Sequence, residues 1–153
     1  MNAPQTILLV DDEEDLRRGV GRLLQQAGYE VLTAADGEAA LAVLRDSVRP
    51  ALIILDLMMP KLDGYQTLTR LRKGPHKDVP VILLTARSAP AEIGLGYSKG
   101  ADIYFTKPFE PENLLKAIRF LIGAVEGPER EKLEADLLNA NEAYLGIAET
   151  QDG

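Results

Sequence analysis

The sequence predicts an α/β fold in which helices cover both faces of a parallel sheet. Short runs rich in Ile, Val and Leu recur along residues 1–123 of the 153-residue chain. Each run is apolar at consecutive positions, as strands buried on both faces are. Stretches with apolar residues at helical spacing separate these runs. The alternation gives five β–α units, followed by a C-terminal extension that carries one more predicted helix.

Five segments are strand candidates. The strongest are Thr6–Val10, Ala51–Leu55 and Val79–Leu84, which are almost entirely aliphatic. Glu30–Ala34 and Asp102–Thr106 are weaker and more polar, which is typical of strands near a sheet edge or a binding site.

Four stretches between the strands carry an apolar stripe at helical spacing. A further stretch, residues 89–99, contains Gly94 and Gly96, which predict a weak helix. The four stripes are Leu16, Val20, Leu23, Leu24 and Ala27; Ala39, Ala40, Val43 and Leu44; Tyr65, Leu68 and Leu71; and Leu114, Leu115, Ile118, Leu121 and Ile122.

The composition excludes several classes of function. The chain has no cysteine and one histidine, so disulfide scaffolds, thiolate zinc sites and histidine metal cages are excluded. The N-terminus lacks a basic segment followed by a long apolar run, so we expect no signal peptide. No run approaches the roughly 20 apolar residues that span a bilayer. We therefore expect a cytoplasmic protein without membrane contact.

The extension, residues 124–153, holds 2 of the 17 basic and 8 of the 24 acidic residues. Such a charge balance disfavours direct binding of nucleic acid by this segment. Within it, Glu129–Ala148 predicts one amphipathic helix with a seam at Leu133, Leu137, Ala140, Tyr144 and Ile147. This helix could pack on its own domain, pair with a second copy, or begin a linker to a missing effector domain.

Polar side chains follow four of the predicted strands. Asp11 and Asp12 follow the first strand, Asp56 the third, Thr85 the fourth, and Lys107 the fifth. The carboxyl ends of parallel strands meet at one edge of a sheet, where ligands bind. Clustered carboxylates repel one another unless a cation neutralises them, and an all-oxygen set favours Mg²⁺.

A carboxylate beside Mg²⁺ can act as a nucleophile and form an aspartyl phosphate. Lys107 would then supply a positive charge, and Thr85 a hydroxyl, to the phosphoryl oxygens. A plainer interpretation remains open for Asp11 and Asp12, which precede a helix and could cap its N-terminus. Asp56 is harder to explain structurally, because it follows an apolar strand and would be costly there without a partner.

Four segments of the chain resemble response-regulator receiver domains. They are ILLVDDEEDLR, LIILDLMMPKLDGYQTLTRLR, VPVILLTA and GADIYFTKPF. The resemblance covers residues 5–123, so the predicted organisation is a receiver domain (1–123) and an acidic helical extension (124–153). It implies a flavodoxin-like, doubly wound, five-stranded parallel sheet in the order 2-1-3-4-5.

The resemblance also implies roles for the acidic residues. Asp56 would be the phospho-acceptor. Asp12 would bind Mg²⁺ directly and Asp11 largely through water, and Asp56 and the Met58 backbone carbonyl would complete the site.

The same resemblance implies which residues would respond to phosphorylation. Lys107 would contact the phosphoryl group, and its bond to Pro108 would be cis. Thr85 and Tyr104 would form the switch pair, with Thr85 moving towards the phosphoryl group and the Tyr104 ring turning inward.

These features favour a two-component signalling switch. A histidine kinase or phosphotransfer protein would phosphorylate Asp56, and the switch would control self-association or binding of a downstream partner. The domain would be a regulatory module, not a metabolic enzyme. An alternative is a Mg²⁺-dependent phosphohydrolase, but haloacid-dehalogenase-like phosphatases need a second Asp where this chain has Met58. A pure interaction scaffold would leave the acidic residues and Lys107 unexplained.

Overall fold

The computed structural model describes residues 4–46, 49–59, 61–86, 100–140 and 143–145. Over residues 6–85, strands and helices alternate as the sequence predicts. The strands are β1 (Thr6–Val10), β2 (Glu30–Ala34), β3 (Leu52–Asp56), β4 (Val81–Thr85), β5 (Ile103–Thr106) and β6 (Ala143–Leu145). The helices are α1 (Glu14–Gln26), α2 (Gly37–Asp46), α3 (Gly64–Arg72), α4 (Pro111–Ile122) and α5 (Gly127–Asn139).

The sheet has the order β2-β1-β3-β4-β5-β6. The first five strands are parallel, which confirms the predicted 2-1-3-4-5 order. Strand β6 was not predicted; it pairs antiparallel with β5 at the edge of the sheet. The predicted strand positions agree to within two residues with the observed ones. The weak helix predicted over 89–99 lies outside the described residues.

Two apolar clusters fill the spaces on either side of the sheet. One contains side chains of α1, α4 and α5, with Leu24, Ile118 and Leu137 among its fully buried members. The other contains side chains of α2 and α3, including Ala40 and Leu68. Every residue of β3 and β4 is buried, because these central strands face a helical layer on both sides.

The predicted single helix over Glu129–Ala148 is wrong. Helix α5 ends at Asn139, Ala140 is already extended, and residues 143–145 form β6. The asparagines at 139 and 141 are poor helix formers, and β5 pairs with β4 on one side, so an extended segment can form the second ladder of hydrogen bonds on its other side. Leu133 and Leu137 are buried in the domain's own core, as packing on the own domain requires; pairing with a second copy and a linker role stay predictions.

Arg72 fastens the loops that lead into β4 and β5. Its guanidinium donates to the carbonyls of Val79 at 2.6 Å, Lys77 at 2.8 Å and Gly100 at 2.7 Å. It also pairs with Asp102 at 3.3 Å, and that carboxylate accepts from the Val81 amide. Burial lowers the pKa of Arg72, but only from a very high value, so the side chain stays charged. This contact set holds the amino ends of both strands.

We expect Arg72→Ala to lower the free energy of unfolding by about 3 kcal/mol, because the part-buried carbonyls of Val79 and Gly100 and the Asp102 carboxylate lose their donor. Urea denaturation followed by circular dichroism measures this loss. Arg70→Ala is the matched control, since Arg70 is exposed on the same helix; we expect it to change stability by less than about 0.5 kcal/mol. Equal losses in the two variants would contradict the role given to Arg72.

Candidate functional site

Three carboxylates meet at the carboxyl end of the sheet. Asp11 and Asp12 follow β1, and Asp56 is the last residue of β3. One carboxylate oxygen from each residue lies within 4.8 Å of the others. Asp11 and Asp56 are buried, whereas Asp12 is exposed. The predicted convergence of these residues is therefore present, with one side of the cluster open to solvent.

Backbone contacts hold Asp11 in place. Its amide donates to the Ala34 carbonyl at 3.1 Å, and its carbonyl accepts from the Arg17 guanidinium at 2.6 Å. Its carboxylate accepts from the Glu13 amide at 2.9 Å. Helix α1 begins at Glu14 with Glu13 in the cap position and no side-chain cap. Neither Asp11 nor Asp12 therefore caps this helix.

The start of α3 is packed closely beneath Asp56. A side chain on Gly64 would place its Cβ 2.6 Å from the Asp56 carbonyl oxygen and 2.7 Å from the Leu57 Cα. The Gly64 amide donates to the Leu57 carbonyl at 2.9 Å. Asp63 caps this helix in a capping box with Gln66. Glycine is required here because only a residue without Cβ permits this approach.

Lys107 supplies the positive charge of the site. Its Nζ lies 3.1 Å from Asp11, 3.1 Å from Glu13 and 3.6 Å from Asp56. The side chain is 17% exposed, and the bond between Lys107 and Pro108 is cis, as the resemblance implied. Glu13 is a site residue that the sequence reasoning missed. Its position directly after Asp12, in an acidic run, was the available signal.

The electrostatics of the cluster act most strongly on Asp56. Burial, reinforced by the charge of Asp11, raises the pKa of Asp56 to about 7, although Lys107 opposes the shift. Burial alone would lower the pKa of Lys107, but Asp11, Asp56 and Glu13 outweigh it and raise that pKa above its ordinary value. Lys107 is therefore charged at neutral pH, while Asp56 is only partly ionised until a further cation arrives.

Thr85 lies on β4, which is next to β3, and Tyr104 lies on β5, the strand beyond β4. Thr85 ends β4 and pairs with Thr106 of β5, while Tyr104 pairs with Leu83. Both residues are fully buried. The Lys107 amide donates to the Thr85 carbonyl at 2.7 Å, so the backbone connects these two positions directly.

The raised pKa of Asp56 predicts a pH dependence of stability in metal-free protein. The unfolded chain loses this proton near pH 4 and the folded chain near pH 7, so this group lowers the free energy of unfolding as pH rises between them. Asp56→Asn removes the effect. In EDTA, we expect the free energy of unfolding of Asp56→Asn minus that of the native protein to increase by about 2 kcal/mol between pH 5 and pH 8. Urea denaturation at both pH values measures it, and an advantage independent of pH would contradict the prediction.

The donor set suits a hard divalent cation. It contains only oxygen ligands, and it includes a buried carboxylate whose ionisation is unfavourable without added positive charge. The residues present therefore fit Mg²⁺. With Lys107 beside the cluster, the fold and the site define a class of α/β domain that places buried carboxylates and one ammonium group at the carboxyl edge of a parallel sheet.

The family follows from comparison with known proteins. A family model described as "Response regulator receiver domain" matches residues 7–119. The chain belongs to this family, and the receiver assignment made from the sequence is confirmed. The phosphohydrolase alternative is not favoured.

Similar proteins include transcriptional regulators and a chemotaxis protein. The chain is 48% identical over 141 residues to "Probable transcriptional regulator ycf27" of Cyanophora paradoxa, covering 92% of this chain and 58% of that protein. It is 41% identical over 143 residues to "Transcriptional regulatory protein CpxR" of Escherichia coli, covering 88% and 60%. The chemotaxis protein CheY4 of Vibrio cholerae superimposes with a TM-score of 0.73 at 38% identity, covering 78% and 99%.

The chain thus spans about three-fifths of the length of these two transcriptional regulators. Among the described residues, no helix combines the length and apolar character needed to cross a membrane.

Proposed function

We propose that Asp56 accepts a phosphoryl group from a histidine kinase or phosphotransfer protein of a two-component system, in a Mg²⁺-dependent reaction. One observation carries this proposal: the buried Asp56 carboxylate lies within 4.8 Å of Asp11 and Asp12 and 3.6 Å from the Lys107 ammonium. A nucleophile, an acidic metal-binding set and a fixed cation for the phosphoryl oxygens thus occupy one edge of the sheet.

Phosphoryl transfer exchanges a bond from phosphorus to nitrogen for a bond from phosphorus to oxygen. An Asp56 oxygen forms a bond to phosphorus while the bond from phosphorus to the donor imidazole nitrogen breaks, and that nitrogen keeps the electron pair. Asp11, Asp12, Asp56 and the Met58 carbonyl would hold Mg²⁺, which supplies charge neutralisation for the transferring oxygens. Lys107 would pair with the new phosphoryl oxygens, and its ion pairs with Glu13 and Asp11 would weaken.

The response would pass along β4 and β5. Thr85 would donate to a phosphoryl oxygen, and Tyr104, buried on the neighbouring strand, would adjust with it. The output is a change in self-association or in binding to a downstream protein or effector domain, since the similar transcriptional regulators are longer than this chain. The module is regulatory, and its own chemistry is limited to gaining and losing the phosphoryl group. A cytoplasmic location stays a prediction.

Radiolabelled acetyl phosphate tests the proposed acceptor chemistry. We expect the native chain to incorporate about one phosphate per molecule with Mg²⁺ and none with EDTA. The label should be released by hydroxylamine, as an acyl phosphate is. Incorporation that resists hydroxylamine, or that persists in EDTA, would overturn the proposal.

A further inference from the structure

Helix α5 and strand β6, together called the C-terminal segment, are built into the sheet and its core. Strand β6 pairs with β5 through Ile103 opposite Leu145, Tyr104 opposite Tyr144 and Phe105 opposite Ala143. Helix α5, which leads to β6, buries Leu133 and Leu137 in the same cluster as Phe105 and Ile118. The segment therefore holds β5 from its edge and from one face.

Polar contacts fix α5 on α4. Arg130 donates to the Phe120 carbonyl at 2.7 Å, and its guanidinium lies 4.1 Å from the centre of the Phe120 ring. Lys116 of α4 pairs with Asp136 of α5 at 3.3 Å, and Arg119 pairs with Glu129. Three charged contacts and two buried leucines thus hold α5 in one position. Strand β6 follows this helix and pairs at the sheet edge.

Strand β5 is the element that delivers Lys107 to the acidic cluster. It has four residues, and Lys107 follows it directly. A short strand at a sheet edge has one ladder of hydrogen bonds and frays more readily than a strand paired on both sides. With β6 in place, β5 is paired on both sides. The Mg²⁺-binding carboxylates lie on other strands, β1 and β3, which do not touch β6.

We propose that the C-terminal segment, α5 with β6, is a positioning element for phosphoryl binding: by completing the pairing of β5, it holds Lys107 where it meets the phosphoryl group. The proposal rests on the function proposed above. It requires that docking of the segment and binding of a phosphoryl group strengthen each other, because coupling between two sites is reciprocal. It also requires that undocking does not weaken Mg²⁺ binding, because a displaced Lys107 no longer competes with the cation for Asp11 and Asp56.

Two neighbouring leucines give a matched test in the full-length chain. Leu137 is fully buried and Leu138 is 52% exposed on the same helix, so Leu137→Asp should undock the segment and Leu138→Asp should not. Hydrogen exchange of residues 103–106 measures undocking, and calorimetry measures the affinities for Mg²⁺ and, in saturating Mg²⁺, for beryllofluoride. In Leu137→Asp we expect faster exchange, beryllofluoride affinity at least about fivefold weaker, and Mg²⁺ affinity equal to native or tighter.

Leu138→Asp should match the native chain in all three measurements. Tyr144→Pro, which removes a backbone donor from β6, gives the same comparison if Leu137→Asp does not fold. Faster exchange with unchanged beryllofluoride affinity would overturn the proposal, as would equal losses in the Leu137 and Leu138 variants. A native chain that binds Mg²⁺ but no beryllofluoride would instead refute the proposed phospho-acceptor function.

Discussion

Asp56→Asn is expected to reduce labelling by acetyl phosphate to background, a loss of at least about 100-fold. The amide is a poor nucleophile and cannot form an acyl phosphate. The fold should survive, because the amide removes a buried carboxylate whose ionisation is unfavourable in metal-free protein. Circular dichroism and thermal melting check the fold, and scintillation counting after gel separation measures the label.

Asp63→Asn is the matched control for this experiment. It makes the same chemical change in the loop that follows β3, and asparagine caps a helix about as well as aspartate does. We expect native labelling in this variant. Unchanged labelling of Asp56→Asn would remove Asp56 from the acceptor position and redirect attention to the other carboxylates of the cluster.

Lys107→Ala is expected to change two affinities in opposite directions. The ammonium lies 3.1 Å from Asp11 and 3.6 Å from Asp56, so it competes with Mg²⁺ for the same carboxylates. Its removal should tighten Mg²⁺ binding about tenfold. The same variant lacks the cation for the phosphoryl oxygens, so beryllofluoride affinity should fall more than tenfold.

Calorimetry measures both affinities of the Lys107 variant, and Lys73→Ala, at an exposed position after α3, is the control. We expect the control to bind both ligands as the native chain does. Parallel weakening of both affinities in Lys107→Ala would indicate general damage to the site, and it would contradict the competition that the distances imply.

The elements that the sequence predicted well are those whose signal is local. Strands β1 and β2 begin and end where their apolar runs do, and the residues at the strand ends follow from the parallel topology. Strand β3 extends one residue further than predicted, to Asp56, because that residue pairs with Leu84 of β4. The core of the site was therefore predictable from spacing alone.

The elements that the sequence did not reveal depend on contacts between distant residues. Strand β6 exists because β5 offers it an edge some forty residues earlier in the chain, and its own sequence continues the apolar period of α5. The contact between Glu13 and Lys107 joins residues 94 positions apart. The spacing of apolar residues predicts neither contact, because it carries information on one helix or strand at a time.

The direction of β6 decides on which side of the molecule the chain leaves the sheet. Because β6 runs antiparallel to β5, its last residue, Leu145, lies opposite Ile103, at the start of β5. The acidic cluster lies beyond the other end of that strand. Four residues of strand separate the two levels by roughly 10 Å. A domain fused directly after Leu145 would therefore begin at the level of Ile103, at the end of β5 opposite to the acidic cluster.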